Sequence, residues 1–394
     1  MTKDDCKPPD PVASARHFQP LLKDRADEIE VARRIPQDIA DAFAEAGFYA
    51  LCVPADYGGL EASPITLIDV VETLAIAEAS SAWCVFIGAT AGLVSAYLPN
   101  AVASSVYGPS SKAWSTTISA GVFAPRGRAL IEKDGYRVSG QWQWGSGATN
   151  AEWVMGGCIT LCNGEPELMA NGLPANRLML VRASEVEFLD NWHVSGLCGT
   201  GSADFAIHNQ LVPFEHSVNL MTDRPLPRPL YAFPIFGLLS IGVSAVILGL
   251  ARAAIDELVS FAGKKTPDGT RKTLAGRATV QSDIAEAEAL YRSARLFLHD
   301  TVAKAWEVAQ QQGELTLEHR RDIRLAASHA ANSGARAVDV VYRLGGGTSV
   351  YKASPLQRYF RDVHTATQHM VVGSTTWEQV GRLFLGVPSD TTML

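Results

Sequence analysis

Tyr136-Arg137-Val138-Ser139-Gly140-Gln141-Trp142-Gln143-Trp144 is the clearest strand in the chain. Its residues alternate with a period of two, the repeat that sends successive side chains to opposite faces of a sheet. Outward from it, residues 115 to about 219 are rich in Thr, Val, Trp and Gly in short runs, and Arg177–Val181 alternates in part. On both sides the period changes to three and four. Before the sheet, Ile35, Ile39, Phe43 and Ala46 recur at helical steps, with Gly47 as a stop. Pro54–Gly59 is turn-rich, and helix returns from about Pro64 to Glu78 and around Gly88–Ala96. After the sheet, Val280, Ile284, Ala287, Tyr291, Ala294, Leu298 and Val302 form an unbroken stripe, and Arg320–Leu344 continues it up to Gly345-Gly346-Gly347. The pattern predicts a mainly α protein with a central antiparallel β domain: helical 1–114, sheet 115–225, helical 226–394.

The bulk numbers exclude several classes. With 394 residues, 47% hydrophobic and 19% charged, the chain has the composition of a globular protein with a large core. A net charge of −7 and scattered basic residues leave no footprint for nucleic acid. The six cysteines (Cys6, Cys52, Cys84, Cys158, Cys162, Cys198) do not form a disulfide framework in so long a chain. Cys158 and Cys162 have no second pair, so no metal is predicted. Free thiols and a polar N-terminus without an export signal fit a cytoplasmic protein. Pro229–Ala251 is uncharged and long enough to cross a bilayer, but Pro234, Gly237, Gly242 and Gly249 interrupt it. We read it as a buried helix, with no membrane partner.

Three motifs carry candidate chemistry. Arg361-Asp362-Val363-His364-Thr365-Ala366-Thr367-Gln368-His369-Met370 places two histidines on what reads as one helix. Positions five apart point about 140° away from each other, so His364 and His369 cannot share a face. His369 shares its face with Asp362, Thr365 and Ala366; it is either a proton exchanger near neutral pH or a satisfied interhelical side chain. Trp144-Gly145-Ser146-Gly147 ends the strand, either as an ordinary turn or as a close backbone approach with a hydroxyl for a ligand. Trp192-His193-Val194-Ser195-Gly196-Leu197-Cys198-Gly199-Thr200-Gly201-Ser202 is a second glycine cluster, suited to a phosphate or ribityl chain. It matches neither a Rossmann fingerprint nor a P-loop. Gly345-Gly346-Gly347, ahead of Arg358 and Arg361, is a phosphate-facing turn or a helix stop.

Together these pieces resemble the acyl-CoA dehydrogenase superfamily over nearly the whole chain, which implies a C-terminal four-helix bundle and a flavin. Tyr342–Gly347 through Arg358–Asp362 is similar to that family's Gly-Gly turn and following Arg-Asp pair. The catalytic glutamate of the dehydrogenases falls on Met370, and no Asp or Glu occurs between Asp223 and Asp256 to replace it. The departures resemble the two-component flavin-dependent monooxygenases, those similar to 4-hydroxyphenylacetate hydroxylase and dibenzothiophene monooxygenase. The likeness rests on Trp144–Gly147 followed by Ala151-Glu152-Trp153, on Asn191-Trp192 through Gly199–Ser202, and on Arg361-Asp362 with His369. Cys198 stands where an arginine is common before Gly-Thr-Gly-Ser.

The resemblance implies an oxygenase component. A separate NAD(P)H-dependent flavin reductase supplies reduced flavin (FADH2 or FMNH2), O2 is the co-substrate, and a C4a-hydroperoxyflavin hydroxylates a small aromatic or heteroaromatic substrate. It assigns catalysis to His369 and to Ser146 as a donor at the flavin edge. Cofactor contacts fall to Trp144, Ser146, Gly147, Trp192, Gly199, Thr200, Gly201, Ser202, Gly345 and Gly346, with Arg271 compensating for Cys198. The apolar substrate pocket draws on Trp83, Phe86, Phe233 and Phe236, all equally at home in plain core. Family likeness implies a homotetramer. The alternative is a flavin dehydrogenase of an unusual acyl or nitroalkane substrate.

Overall fold

The computed structural model describes residues 10–109, 113–169 and 171–394. Six helices come first: α1 (Pro11–Asp24), α2 (Ala26–Ala32), α3 (Gln37–Glu45), α4 (Pro64–Ala75), α5 (Ala79–Ala91) and α6 (Asn100–Tyr107). Local chemistry fixes their starts. Ser63 Oγ accepts the Thr66 N–H ahead of Pro64 at the first turn of α4. The buried Glu78 carboxylate accepts the Ser80 and Ser81 N–H groups at 3.0 and 2.6 Å, capping α5 with a charge that suits its helix end.

The strands β1 (Ser119–Glu132), β2 (Gly135–Trp142), β3 (Trp153–Cys162), β4 (Glu165–Pro166), β5 (Asn176–Arg182), β6 (Glu187–Phe188), β7 (Phe205–Val212) and β8 (Ser217–Val218) form one sheet. Its order is β6-β7-β2-β1-β3-β5-β8, with β4 on β3. The expected antiparallel pairing holds everywhere except between β1 and β3, which run parallel. The reason is topological: β2 folds back beside β1, and the chain then crosses to the far side of β1, so β3 must point the same way. That crossing is the Trp144–Asn150 loop. Trp142 anchors it, stacked on Phe205 at 5.2 Å with its indole N–H on the Gly157 carbonyl at 2.8 Å. A Cβ on Gly127 or Gly156 would lie 2.3 and 2.6 Å from the Trp142 ring, so only glycine leaves that slot open.

Five helices follow: α7 (Ile235–Ala262), α8 (Ala278–Gln312), α9 (Leu317–Gly345), α10 (Pro355–Ala366) and α11 (Ser374–Phe384). The membrane-length apolar segment is α7, and 94% of its most apolar window is buried inside the molecule. It runs through one continuous core that takes in side chains from both the N-terminal and the C-terminal helices. The sheet has a separate core around Trp142, Phe205 and Met179. Small residues let α7 in: a Cβ on Gly242 would strike Phe86 at 2.5 Å and one on Gly249 would strike Ala75 at 2.5 Å. A charge cluster around the buried Glu72 pins α4 to α8. Glu72 accepts Tyr291 Oη at 2.7 Å and Arg295 Nε at 2.8 Å, and Asp69 pairs with Arg295 at 3.2 Å.

Candidate active site

The two glycine clusters are parts of one structure. The Gly147 N–H donates to the Thr200 carbonyl at 2.9 Å and the Gly145 N–H to the Ala203 carbonyl at 3.0 Å, zipping the crossover loop to the 190–204 loop. Both loops carry bulky residues in the left-handed region, Trp144 at φ 68° and Leu197 at φ 50°. Such conformations persist where the surroundings enforce them, and they concentrate at functional sites.

Where the loops meet, three buried hydroxyls line up. Ser146 Oγ lies 2.6 Å from Ser202 Oγ, which lies 2.7 Å from Thr200 Oγ1, and Thr200 Oγ1 donates to the Leu197 carbonyl at 2.8 Å. Each hydroxyl has one proton, so the direction is fixed. The Thr200 proton is spent on Leu197, the Ser202 proton then goes to Thr200, and the Ser146 proton to Ser202. The Trp83 indole N–H donates to Ser146 Oγ at 3.1 Å. Ser146 therefore keeps one free lone pair, making it an acceptor rather than the donor expected from sequence. The same chain places Thr200 and Ser202 beside Ser146.

His369 joins this group through Trp83, whose ring it meets edge-on with centroids 5.7 Å apart. The expected shared helix is not there: α10 ends at Ala366, and His369 precedes the short 3-10 turn Met370–Val372. The two histidines part because the helix stops between them. His364 instead bonds Asp339 of α9 at 2.8 Å. Burial, with the nearby Arg324 charge adding to it, pushes the His369 pKa down to about 4, so its imidazole is neutral at pH 7. The Val371 N–H points at His369 Nδ1 at 3.4 Å, a long contact that leaves Nδ1 as acceptor and the proton on Nε2.

Asp362 ties these loops to α10. Its buried carboxylate accepts the Leu197 N–H at 2.6 Å. Burial pushes its pKa up to about 7 against the opposing pull of that hydrogen bond. Beside it Arg361 donates to the Ser195 carbonyl and pairs with Glu30 of α2 at 2.8 Å. The approach is close enough that a Cβ on Gly196 would lie 2.2 Å from the Arg361 carbonyl.

Other expected positions scatter. Trp192 is pinned to its own loop, with Nε1 on the Leu197 carbonyl at 3.3 Å. Trp83 and Phe86 pack edge-to-face at 5.1 Å beside Ser146, whereas Phe233 packs on Trp306 of α8. Arg271 is exposed in the α7–α8 connection, with no hydrogen bond or ion pair of its side chain among the described residues. Gly345 and Gly346 end α9, where Lys265 donates to the Gly345 carbonyl and to Thr348 Oγ1. Gly199 is buried against Ile29, where a Cβ would lie 2.2 Å away, and Gly201 takes φ 53°. Sequence reasoning missed Tyr49, Cys84, Gly88 and Asn150, which line a small cavity with Ser146 and Gly147. At about 10 Å³ it holds roughly one water and no organic ring.

The chemistry of this group suits a flavin. The group is made of neutral hydroxyls and an indole, with the Ser146 lone pair left over and no carboxylate in the chain. Trp144 is 63% exposed directly beside it, a large aromatic surface left for a planar group to cover.

Comparison with known proteins places both helical parts of the chain in known domain families. Residues 13–101 match the model of the acyl-CoA dehydrogenase N-terminal domain, and residues 241–373 that of the acyl-CoA dehydrogenase C-terminal domain. An indole-3-acetate monooxygenase of Pseudomonas putida is 31% identical over 384 residues, covering 96% of each chain. The oxygenase subunit HsaA of a flavin-dependent monooxygenase from Rhodococcus jostii is 28% identical, covering 95% of this chain and 98% of its own. The structure of XiaF from a Streptomyces species, in complex with FADH2 and glycerol, superposes with a TM-score of 0.86 at 25% identity, over 96% of this chain and 97% of its own.

Proposed function

This chain belongs to the acyl-CoA dehydrogenase superfamily, in its flavin-dependent monooxygenase branch, and from that premise we propose that Ser146 and His369 flank its oxygenating centre. The protein is an oxygenase that uses reduced flavin supplied by a separate reductase. Its substrate is a small aromatic or heteroaromatic molecule, and the reductase draws on NAD(P)H. The enzyme works in the cytoplasm as a homotetramer.

Reduced flavin, when bound, supplies the electrons that activate O2, so that one oxygen atom enters the substrate and the other leaves as water. The chain contributes the rest. Ser146 presents a lone pair, which suits a cofactor edge bearing N–H, as the reduced ring does, better than a bare nitrogen. Trp83 and Ser202 hold that hydroxyl in place. Trp144, Gly147, Thr200 and Ser202 would shape the cofactor's seat, and Asp362 holds the Leu197 turn of the same loop in place. His369, neutral and carrying its proton on Nε2, donates a hydrogen bond toward the reacting oxygen. Trp83 and Phe86 wall off water, which would otherwise divert the oxygen into hydrogen peroxide.

One observation carries this reading: His369, Trp83 and Ser146 form a continuous contact chain in which no carboxylate takes part. Removal of an acyl α-proton needs a base within reach, and the position matching the dehydrogenase glutamate is Met370. The test is turnover with a generic flavin reductase, FAD or FMN, and isotope-labelled O2 over a panel of phenols and indoles. Labelled hydroxylated product is expected. Unlabelled product, or dehydrogenation of an acyl thioester instead, overturns the assignment.

A further inference from the structure

Arg324 is a buried cation with no carboxylate partner among the described residues. It sits on α9 with only 3% of its surface exposed. Arg358, also largely buried, instead meets carboxylates, pairing with Asp27 and Glu30. Arg324 forms no ion pair among the described residues. Its guanidinium donates to the Val371 carbonyl and Thr376 Oγ1, each at 3.0 Å, and to the Met393 carbonyl. Five N–H groups are available on a guanidinium, and Nε is buried without any partner. Leaving such a donor unsatisfied is costly, as is burying a cation without its counter-charge.

The same side chain lines a cleft of about 580 Å³ between α9, α11 and the C-terminal tail. Thr376, Gln379, Met370 and Met393 form its walls. The two acidic side chains on the cleft, Glu378 and Asp390, are otherwise engaged. Glu378 lies 3.9 Å from Arg382, and Asp390 accepts from Thr392. The volume is that of a small-molecule site, and its lining is mostly polar, with Met370, Met393 and Pro388 as its apolar residues. Met370 connects it to the active site, being the residue next to His369.

We propose that this cleft binds a carboxylate-bearing small molecule, with the carboxylate paired to Arg324 and the apolar part against Met370 and Met393. The carboxylate comes from the organic substrate itself or from a separate small acid. In either case it cancels the positive charge that Arg324 projects onto His369, so that occupancy makes the imidazole more basic.

Binding needs neither flavin nor turnover, so it is tested apart from the oxygenase reading. The full chain, free of flavin, is titrated calorimetrically with phenylacetate, with phenylacetamide as the uncharged isostere, and with acetate. The proposal expects phenylacetate to bind and the amide to bind at least tenfold more weakly. Acetate binding as well as phenylacetate identifies a separate small acid as the ligand; acetate failing identifies an acid carried on an aromatic substrate. Arg324→Lys keeps the charge but loses the planar fork, and is expected to weaken binding by roughly 10- to 100-fold. Equal affinity for phenylacetate and its amide, or no binding of any carboxylate, overturns the proposal without use of a variant. So does an Arg324→Lys protein with unchanged melting temperature and unchanged affinity.

Discussion

The Asp362 carboxylate accepts the backbone N–H of Leu197 at 2.6 Å, joining the C-terminal bundle to a left-handed residue of the 190–204 loop. Both groups are buried, so the bond is worth more than one at the surface. It also makes loop geometry sensitive to the charge on a single carboxyl group.

That charge has a pH dependence of definite sign. Burial raises the Asp362 pKa to about 7. Between the ordinary carboxylate range and pH 7 the folded protein therefore holds a proton that the unfolded chain has released. Stability from this group is present at low pH and is lost as pH rises toward 7. Asp362→Asn abolishes the titration while keeping an oxygen for Leu197. Denaturant unfolding at pH 5 and pH 8 is expected to show the variant gaining on the parent at the higher pH. The gain is limited to about 1.4 kcal/mol for each tenfold difference in proton affinity between the folded and unfolded carboxyl group. An identical pH profile in both proteins contradicts the assignment.

His369→Ala is expected to leave flavin binding nearly intact and to cut product formation by roughly 10²-fold, within the range for a lost proton-handling group. The reducing equivalents should appear as hydrogen peroxide. His364→Ala loses only a partly exposed pair with Asp339 and should stay coupled. Product and peroxide per flavin oxidised are the quantities to measure, and the reverse pattern removes His369 from the mechanism.

The hydroxyl chain predicts a preference for one redox state of the cofactor. Ser146→Ala removes the acceptor proposed for the N–H edge of the reduced ring, so affinity for reduced flavin should fall by roughly 1–3 kcal/mol, the scale of one buried hydrogen bond. Affinity for oxidised flavin should change less. Ser202→Ala breaks the chain in the middle, and because Ser202 is buried it should also lower the melting temperature. Anaerobic flavin titrations and thermal unfolding separate the two effects.

At the α4–α8 junction, burial raises the Glu72 pKa, but His299, Arg295 and Tyr291 outweigh it and hold the carboxyl below its ordinary value. Its contribution is therefore present above the ordinary carboxylate range and lost as pH falls through the lowered folded value. Glu72→Gln leaves the partly exposed Arg295 with Asp69 alone and should cost roughly 1–3 kcal/mol, the scale of a lost buried hydrogen bond to a charged group. A loss under about 1 kcal/mol in chemical denaturation contradicts a buried pair, since that is the scale of a surface bridge.

The order of helix, sheet and helix was legible because hydrophobic period reports burial directly. The Tyr136–Trp142 alternation and the Val280–Val302 stripe are cases in point. Strand direction was not legible: the parallel β1–β3 pair depends on where the crossover lands, and no residue in either strand encodes that. The active-site loops were visible as glycine clusters, yet their contact with each other was not, since it comes from sheet pairing. The end of α10 was misread because nothing in Ala366-Thr367-Gln368 breaks a helix by itself. Arg324 could have been found. It lies on the stripe Arg324, Ala327, Ala331, Gly334, Val338 and Val341, and an arginine on a buried face asks for an explanation.

α7 also sets a timetable for the nascent chain. Trp83, Phe86 and Ala75 belong to helices made early, but the surface that covers them is synthesised more than a hundred residues later. At about 5–20 residues per second the N-terminal helices must wait several seconds or longer with those faces open to solvent. An N-terminal fragment ending before Ile235 should therefore be recovered bound to chaperones or in aggregates. Adding the segment through Ala262 should release it, a difference that stalled ribosome complexes of the two lengths can measure.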